Sequence, residues 1–173
     1  LPDEQVDTEA ANERESILHA LRFAARFFYH NLTQTRRGTP ALRYLKERGF
    51  RPKTIKKFGL GYAPDAWDAL LNVAQDHEIE PDLLEKAGLV IERNDGSGYY
   101  DRYRGRVIFP IFSHIGKVLG FAGRILDPER DQPKYINSPE TKVYHKKEVL
   151  YGLHQAKQAI RKTDEVLLTG EIG

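Results

Sequence analysis

A chain of 173 residues with 40% hydrophobic and 30% charged residues can bury a core as one domain or two small lobes, and it has neither a disordered nor a fibrous composition. The absence of cysteine excludes disulfides and thiolate metal sites, no run approaches the ~18 apolar residues of a membrane span, and the acidic start is no signal peptide. These features fit a cytoplasmic location, and the absence of methionine suggests a piece of a longer protein. The net charge of +2 hides an uneven distribution: the first 20 residues hold six acids and one base, Arg14, whereas the rest hold 26 bases against 19 acids. A basic body suggests a polyanionic partner, although a solvated charged surface gives the same totals.

In chain order, residues 1–12 read as an acidic linker. Ile17, Leu18, Leu21, Ala24, Ala25, Phe28 and Leu32 then recur at helical spacing, predicting an amphipathic helix over about 13–34. Pro40 suits the first turn of a second helix reaching Glu47, with Gly49 as its cap. A third helix opens at Arg51-Pro52 and ends near Gly59. A fourth starts at Pro64 and carries Trp67, Leu70, Leu71 and Val73, and a fifth covers 82–87. Phe27, Phe28 and Trp67 are expected in the core.

The pattern then shifts to strands. Leu89-Val90-Ile91 is one, followed by the turn 94–98. Arg106–Phe112 and Lys117–Leu126 flank Ser113-His114-Ile115-Gly116 as a hairpin. Residues 127–141 read as a long ordered loop, 150–161 as a helix, and 166–168 as a buried strand. The expected fold is α+β, a helical N-terminal half packed on a small mixed sheet.

Three constellations could carry chemistry. Arg102, Arg104 and Arg106 alternate, so an extended backbone puts them on one face, where three guanidinium forks suit phosphate or guard a sheet edge. Gly120-Phe121-Ala122-Gly123-Arg124 leaves room for a ligand or a second backbone beside Arg124, or marks a twisted strand. Lys134, Tyr135 and Asn137 combine a point charge, a stacking ring and an amide within the 133–141 loop, which also reads as a plain surface loop. The six histidines are scattered and no acid pair stands out for metal chemistry.

Tyr44-Leu45-Lys46-Glu47-Arg48-Gly49-Phe50, Phe58-Gly59-Leu60-Gly61-Tyr62-Ala63-Pro64, Tyr100 to Ile111, Gly120 to Arg124, Pro133 to Thr141, and Leu150-Tyr151-Gly152-Leu153, in this order, resemble the DnaG family of bacterial DNA primases. The resemblance covers about residues 16–160. It implies the N-terminal subdomain of a primase catalytic core, spanning 13–164 here, with 165–173 beginning a truncated TOPRIM fold. It further implies synthesis of short RNA primers on single-stranded DNA from ribonucleoside triphosphates during replication. Zinc would sit in a preceding domain, Mg²⁺ on later TOPRIM carboxylates, and a helicase would bind a C-terminal domain. Carried over by motif, the template- and nucleotide-binding residues are Arg48, Arg102, Arg104, Arg124, Lys134, Tyr135 and Asn137.

The C-terminus departs from the family. Where a TOPRIM glutamate stands in an EGYMD-like segment, this chain has Thr169, and Glu171 falls two places late. No catalytic carboxylate is therefore assigned, and the isolated chain is expected to make no primers. Two other readings remain open: the primase module of a phage or plasmid primase-helicase, and a non-catalytic single-stranded nucleic-acid-binding module.

Overall fold

The computed structural model describes residues 2–146. Helix α1 runs Pro2–Thr33, so residues 2–12, expected as linker, continue the helix. Alanine, glutamate and glutamine there are strong helix formers, and Pro2 occupies a first-turn position where its missing N–H costs nothing. Residues 4–12 add nothing to the core, whose first α1 residue is Ile17; Ala20, Leu21, Ala24, Phe28 and Leu32 follow on the same stripe. Glu13 anchors α1 laterally through Lys86, at 3.5 Å, and Lys142. The Lys142 ammonium holds the Glu13 carboxyl below its usual range.

A 3-10 turn, Arg36–Gly38, leads to α2, Thr39–Glu47, and α3, Pro52–Phe58. Gly59 caps α3 with φ of 63°, a left-handed conformation that favours glycine. Strand β1, Gly61–Ala63, follows, then α4, Ala69–Asp76, and α5, Pro81–Lys86. Strands β2, Val90–Glu92, and β3, Tyr99–Asp101, form a small hairpin across the 94–98 turn. Strands β4, Arg106–Phe112, and β5, Val118–Ile125, form the expected hairpin, and β6 is Tyr135–Asn137.

The main sheet has the order β1-β4-β5-β6. The α+β class agrees with the sequence reading, but every strand pair among the described residues is antiparallel, where a mixed sheet was expected. Strands β1 and β6 were not anticipated. Each has three residues, too short for alternation to show, and each is recruited by pairing with a longer strand. The expected helix 150–161 and strand 166–168 lie outside the described residues.

Helices α1, α4 and α5 pack with Ala63, Ile108 and Phe121 into one core, and α2 and α3 pack with Tyr62 and Val107 into a second. Helix α1 rests directly on β1: a Cβ on Gly61 would lie 2.6 Å from the Cβ of Phe28.

Helix α4 begins at Ala69, five residues later than Pro64 suggests, and the reason is tertiary. The Asp101 carboxylate, from β3, accepts hydrogen bonds from the Leu70 amide at 2.8 Å and the Leu71 amide at 3.2 Å. It does from a distance what an N-cap side chain does locally. Asp101 is 3% exposed, and burial pushes its carboxyl up to about 7 against the pull of the two amides. A raised folded-state value means that the neutral form favours folding. That contribution is present below about pH 4, where the unfolded chain is also protonated, and is lost as pH rises through about 7. Thermal melts of wild type and Asp101→Asn from pH 4 to 8 are expected to show the wild-type advantage shrinking with pH. A pH-independent difference would show that the folded carboxyl is ionised throughout.

Candidate nucleic-acid interface

Arg102, Arg104 and Arg106 line one cleft of about 560 Å³, although the segment joining them is not the continuous extended one expected: it bends at Arg102 and at Gly105, whose φ of 62° is left-handed. Trp67, Tyr100, Arg130 and Pro133 also line it. Between the arginines, Tyr103 is buried; its hydroxyl lies 3.0 Å from the Ser138 Oγ and donates to the Phe121 carbonyl at 3.3 Å. This buried ring holds the segment to the sheet and leaves its neighbours facing the cleft.

The three arginines do different work. Arg106 is 3% exposed and donates to the carbonyls of Gly123 at 3.2 Å, Lys134 at 3.3 Å and Pro133 at 2.8 Å. Burial lowers its pKa, and Arg104 and Arg102 add to that. It pins the 133–134 segment to the sheet. Arg102 donates to the Asn137 carbonyl at 2.6 Å and retains a buried Nε without a partner among the described residues. Arg104 lies over the Trp67 ring, 4.0 Å from its centroid, and 5.3 Å from that of Tyr100, and its buried Nη1 likewise lacks a partner among the described residues.

Trp67 corrects an expectation. It is 58% exposed rather than buried, because α4 starts beyond it and leaves it on the bend after β1. It packs edge-on against Tyr100 with centroids 5.6 Å apart, and Arg93 approaches both rings at 5.6 and 5.4 Å. Phe28 is in the core as expected, and Phe27 packs against it partly buried. Sequence reasoning also missed Arg93, Tyr100, Asp65 and Arg130. Arg130 forms a two-bond ion pair with Asp65, one bond at 2.8 Å, which ties the 127–133 loop to the bend before α4. The Arg130 guanidinium holds the Asp65 carboxyl below its usual range.

The remaining candidates sit elsewhere. Register pairs Val107 with Arg124 and Arg124 with Tyr135, and Ala122 with Asn137, so Arg124, Tyr135 and Asn137 share the sheet face opposite Arg106. Arg124 is 6% exposed and packs 4.8 Å from the Tyr44 ring centroid; Arg48 approaches the same ring at 4.8 Å. Arg124 donates to the Ile125 carbonyl, and its Nε has no partner among the described residues. The fold thus brings Arg48 and Arg124 to the same Tyr44 ring, a contact that the sequence did not suggest. Lys134 is exposed with its Nζ 5.9 Å from the Tyr135 ring centroid.

The small residues of β5 make no room for a ligand. A Cβ on Gly120 would lie 2.7 Å from the Ser138 Oγ and 2.8 Å from Tyr144, and one on Gly123 would lie 3.0 Å from Arg106 and Tyr103. The space is taken by the chain's own side chains, an occupant that the sequence reading did not name.

No group of three or more His, Asp or Glu side chains among the described residues could hold a metal ion, and none of their helices is long and apolar enough to cross a membrane. An α+β domain with clustered arginines, four of them (Arg48, Arg93, Arg104 and Arg124) set against exposed or half-buried aromatic rings, has the equipment of a nucleic-acid-binding domain. Residues 27–157 match the family model of the DNA primase catalytic core, N-terminal domain, and the chain belongs to that family. The DNA primase of Halalkalibacterium halodurans is 41% identical over 169 residues, which is 97% of this chain and 28% of that protein. The chain therefore spans less than a third of that relative's length. A solved DnaG primase catalytic domain bound to single-stranded DNA is 36% identical with a TM-score of 0.73, over 84% of this chain and 47% of that one. The RNA polymerase domain of Mycobacterium tuberculosis primase DnaG, in complex with a double-stranded DNA oligomer bearing a 6-nucleotide overhang, is 38% identical with a TM-score of 0.71. That likeness covers 76% of this chain and 40% of its counterpart.

Proposed function

We propose that this chain is the part of a DNA primase that holds single-stranded template and nucleotide phosphates beside an active site completed by other parts of the enzyme. The observation that carries this reading is the exposed Trp67 ring under Arg104 at the cleft that Arg102 and Arg106 also line. A partly exposed ring offers a stacking surface to any base, and the guanidiniums that line the cleft around it attract the phosphates on either side. The second set, Arg48, Arg124, Lys134, Tyr135 and Asn137, suits a triphosphate or a continuing template strand. The named relatives support the primase assignment, and the structural relative bound to single-stranded DNA supports the ligand.

No group of three or more carboxylates and histidines that could hold a metal ion lies among the described residues, so in this reading Mg²⁺, zinc and the helicase contact are left to other parts of the enzyme. The work assigned here is electrostatic positioning of template and nucleotide for primer synthesis.

Phosphate contact requires that affinity fall as salt rises, because binding releases condensed counterions. Titrating labelled single-stranded DNA at several salt concentrations is expected to give a linear decline of log affinity with log salt; an affinity independent of salt would remove the reading. In the full-length enzyme, Lys134→Ala is expected to melt normally, since Lys134 is exposed and such cations contribute at most about 1 kcal/mol, yet to prime poorly. Arg124 is buried, so the informative change there is Arg124→Lys, which retains charge and stem but loses the planar fork over Tyr44. Poor priming with a melting temperature near wild type is expected; wild-type priming from both variants would exclude the second set from the site.

A further inference from the structure

The positive charge of this protein is concentrated in one place, and that place is not the cleft. Residues 36–57 hold nine bases and one acid, Glu47, for a net +8, whereas the whole chain is only +2, so everything outside this stretch nets −6. The stretch folds as the 3-10 turn, α2 and α3.

Helical periodicity directs these cations outward. In α3, Lys53, Lys56 and Lys57 stand at i, i+3 and i+4 on the exposed face, opposite buried Thr54 and Ile55. In α2, Arg43 and Lys46 are exposed opposite buried Ala41 and Leu45, and they border a shallow trough with Thr39 and Leu42. Arg36 and Arg37 are exposed on the preceding turn. Like charges at this density repel one another, and among the described residues no carboxylate forms a salt bridge with any of these seven. Lys56 and Lys57 complement the C-terminal dipole of α3, but that accounts for two cations only.

The chemistry of this surface differs from that of the cleft. The cleft pairs arginines with Trp67 and Tyr100, whereas on the α2–α3 surface Tyr44, Phe50 and Phe58 are partly buried in the second core, and the exposed ring of Phe112 lies only at its edge, beside Gly59. Such a surface can meet phosphates but interleaves no aromatic ring among its cations for unpaired bases to stack on. Duplex nucleic acid is the partner that presents phosphates at about one charge per 1.7 Å while keeping its bases stacked inside. We infer that the α2–α3 surface binds the phosphate backbone of double-stranded nucleic acid, without reading sequence, as a second contact separate from the cleft.

The test uses the full-length protein, a blunt DNA duplex and a single strand of equal length, both labelled, followed by fluorescence anisotropy. The variant is Lys53→Gln, Lys56→Gln and Lys57→Gln together. The control, Arg14→Gln, Arg22→Gln and Arg26→Gln, removes the same charge from the exposed side of α1. The α3 variant is expected to lose about tenfold or more in duplex affinity, with a salt slope shallower by about 0.9 for each phosphate contact removed, and to bind single strand within about twofold of wild type. The control is expected to bind both as wild type does. Unchanged duplex affinity, an equal loss for single strand, or an equal loss in the control would each overturn the inference. So would loss of binding to phosphatidylserine vesicles with duplex binding intact, which would assign the surface to anionic membranes. Failure here leaves the cleft reading standing, since that is judged on single-strand binding by variants of Trp67 and Arg104.

Discussion

Trp67→Ala is expected to weaken single-stranded DNA binding by about 5- to 150-fold, the 1–3 kcal/mol typical of a lost base–aromatic stack, while changing stability by less than about 1 kcal/mol. The side chain is 58% exposed and its main contacts are the edge of Tyr100 and the Arg93 and Arg104 guanidiniums. What residue 67 gives the fold is its backbone carbonyl, which accepts from the Asp101 amide at 2.7 Å and survives the substitution. Trp67→Phe should restore most of the affinity, because a smaller ring still stacks. Melting temperature and anisotropy on the same preparations check this. A melt several degrees low with normal binding would return Trp67 to the core, where the sequence reading had put it.

Arg106→Ala should do the opposite. Arg106 shares the cleft and the alternating pattern with Arg104, yet it is buried and its guanidinium satisfies three carbonyls on β5 and the segment leading into β6. Truncation removes these bonds, although the Lys134 carbonyl keeps the one from the Ile125 amide at 2.8 Å, and it opens a space beside Gly123, for an expected loss of about 3–5 kcal/mol. Arg106→Lys should recover only part of it, because one ammonium cannot span acceptors that the two terminal nitrogens of Arg106 reach. Chemical denaturation reads the loss directly. Arg104→Ala is the matched comparison, expected to unfold near the wild-type midpoint while binding single strand poorly. Equal stability of the two variants would mean that the carbonyl contacts of Arg106 do not hold β6 in place.

Much of this protein is determined locally and can be read from the chain. The α1 stripe from Ile17 to Leu32, the proline starts of α2, α3 and α5, the left-handed cap at Gly59 and the hairpin around Gly116 follow from side-chain period and backbone freedom, which act within a few residues. Arg102, Arg104 and Arg106 do line one cleft, but the left-handed Gly105 interrupts the extended segment that the sequence reading assumed between them. Tertiary structure decided what no local pattern encodes. Strands β1 and β6 exist because β4 and β5 offer them pairing edges. Helix α4 starts late because Asp101 reaches across from β3 to cap it, and that delay leaves Trp67 outside the core. Of three arginines with the same spacing, Arg106 is drawn into carbonyl contacts and Arg104 comes to rest on an exposed ring, because only the packed sheet determines which acceptors and which aromatic lie within reach. Pairing across β5 and the packing of α2 on the sheet bring Arg48 and Arg124 to the same Tyr44 ring, although they stand 76 positions apart in the chain.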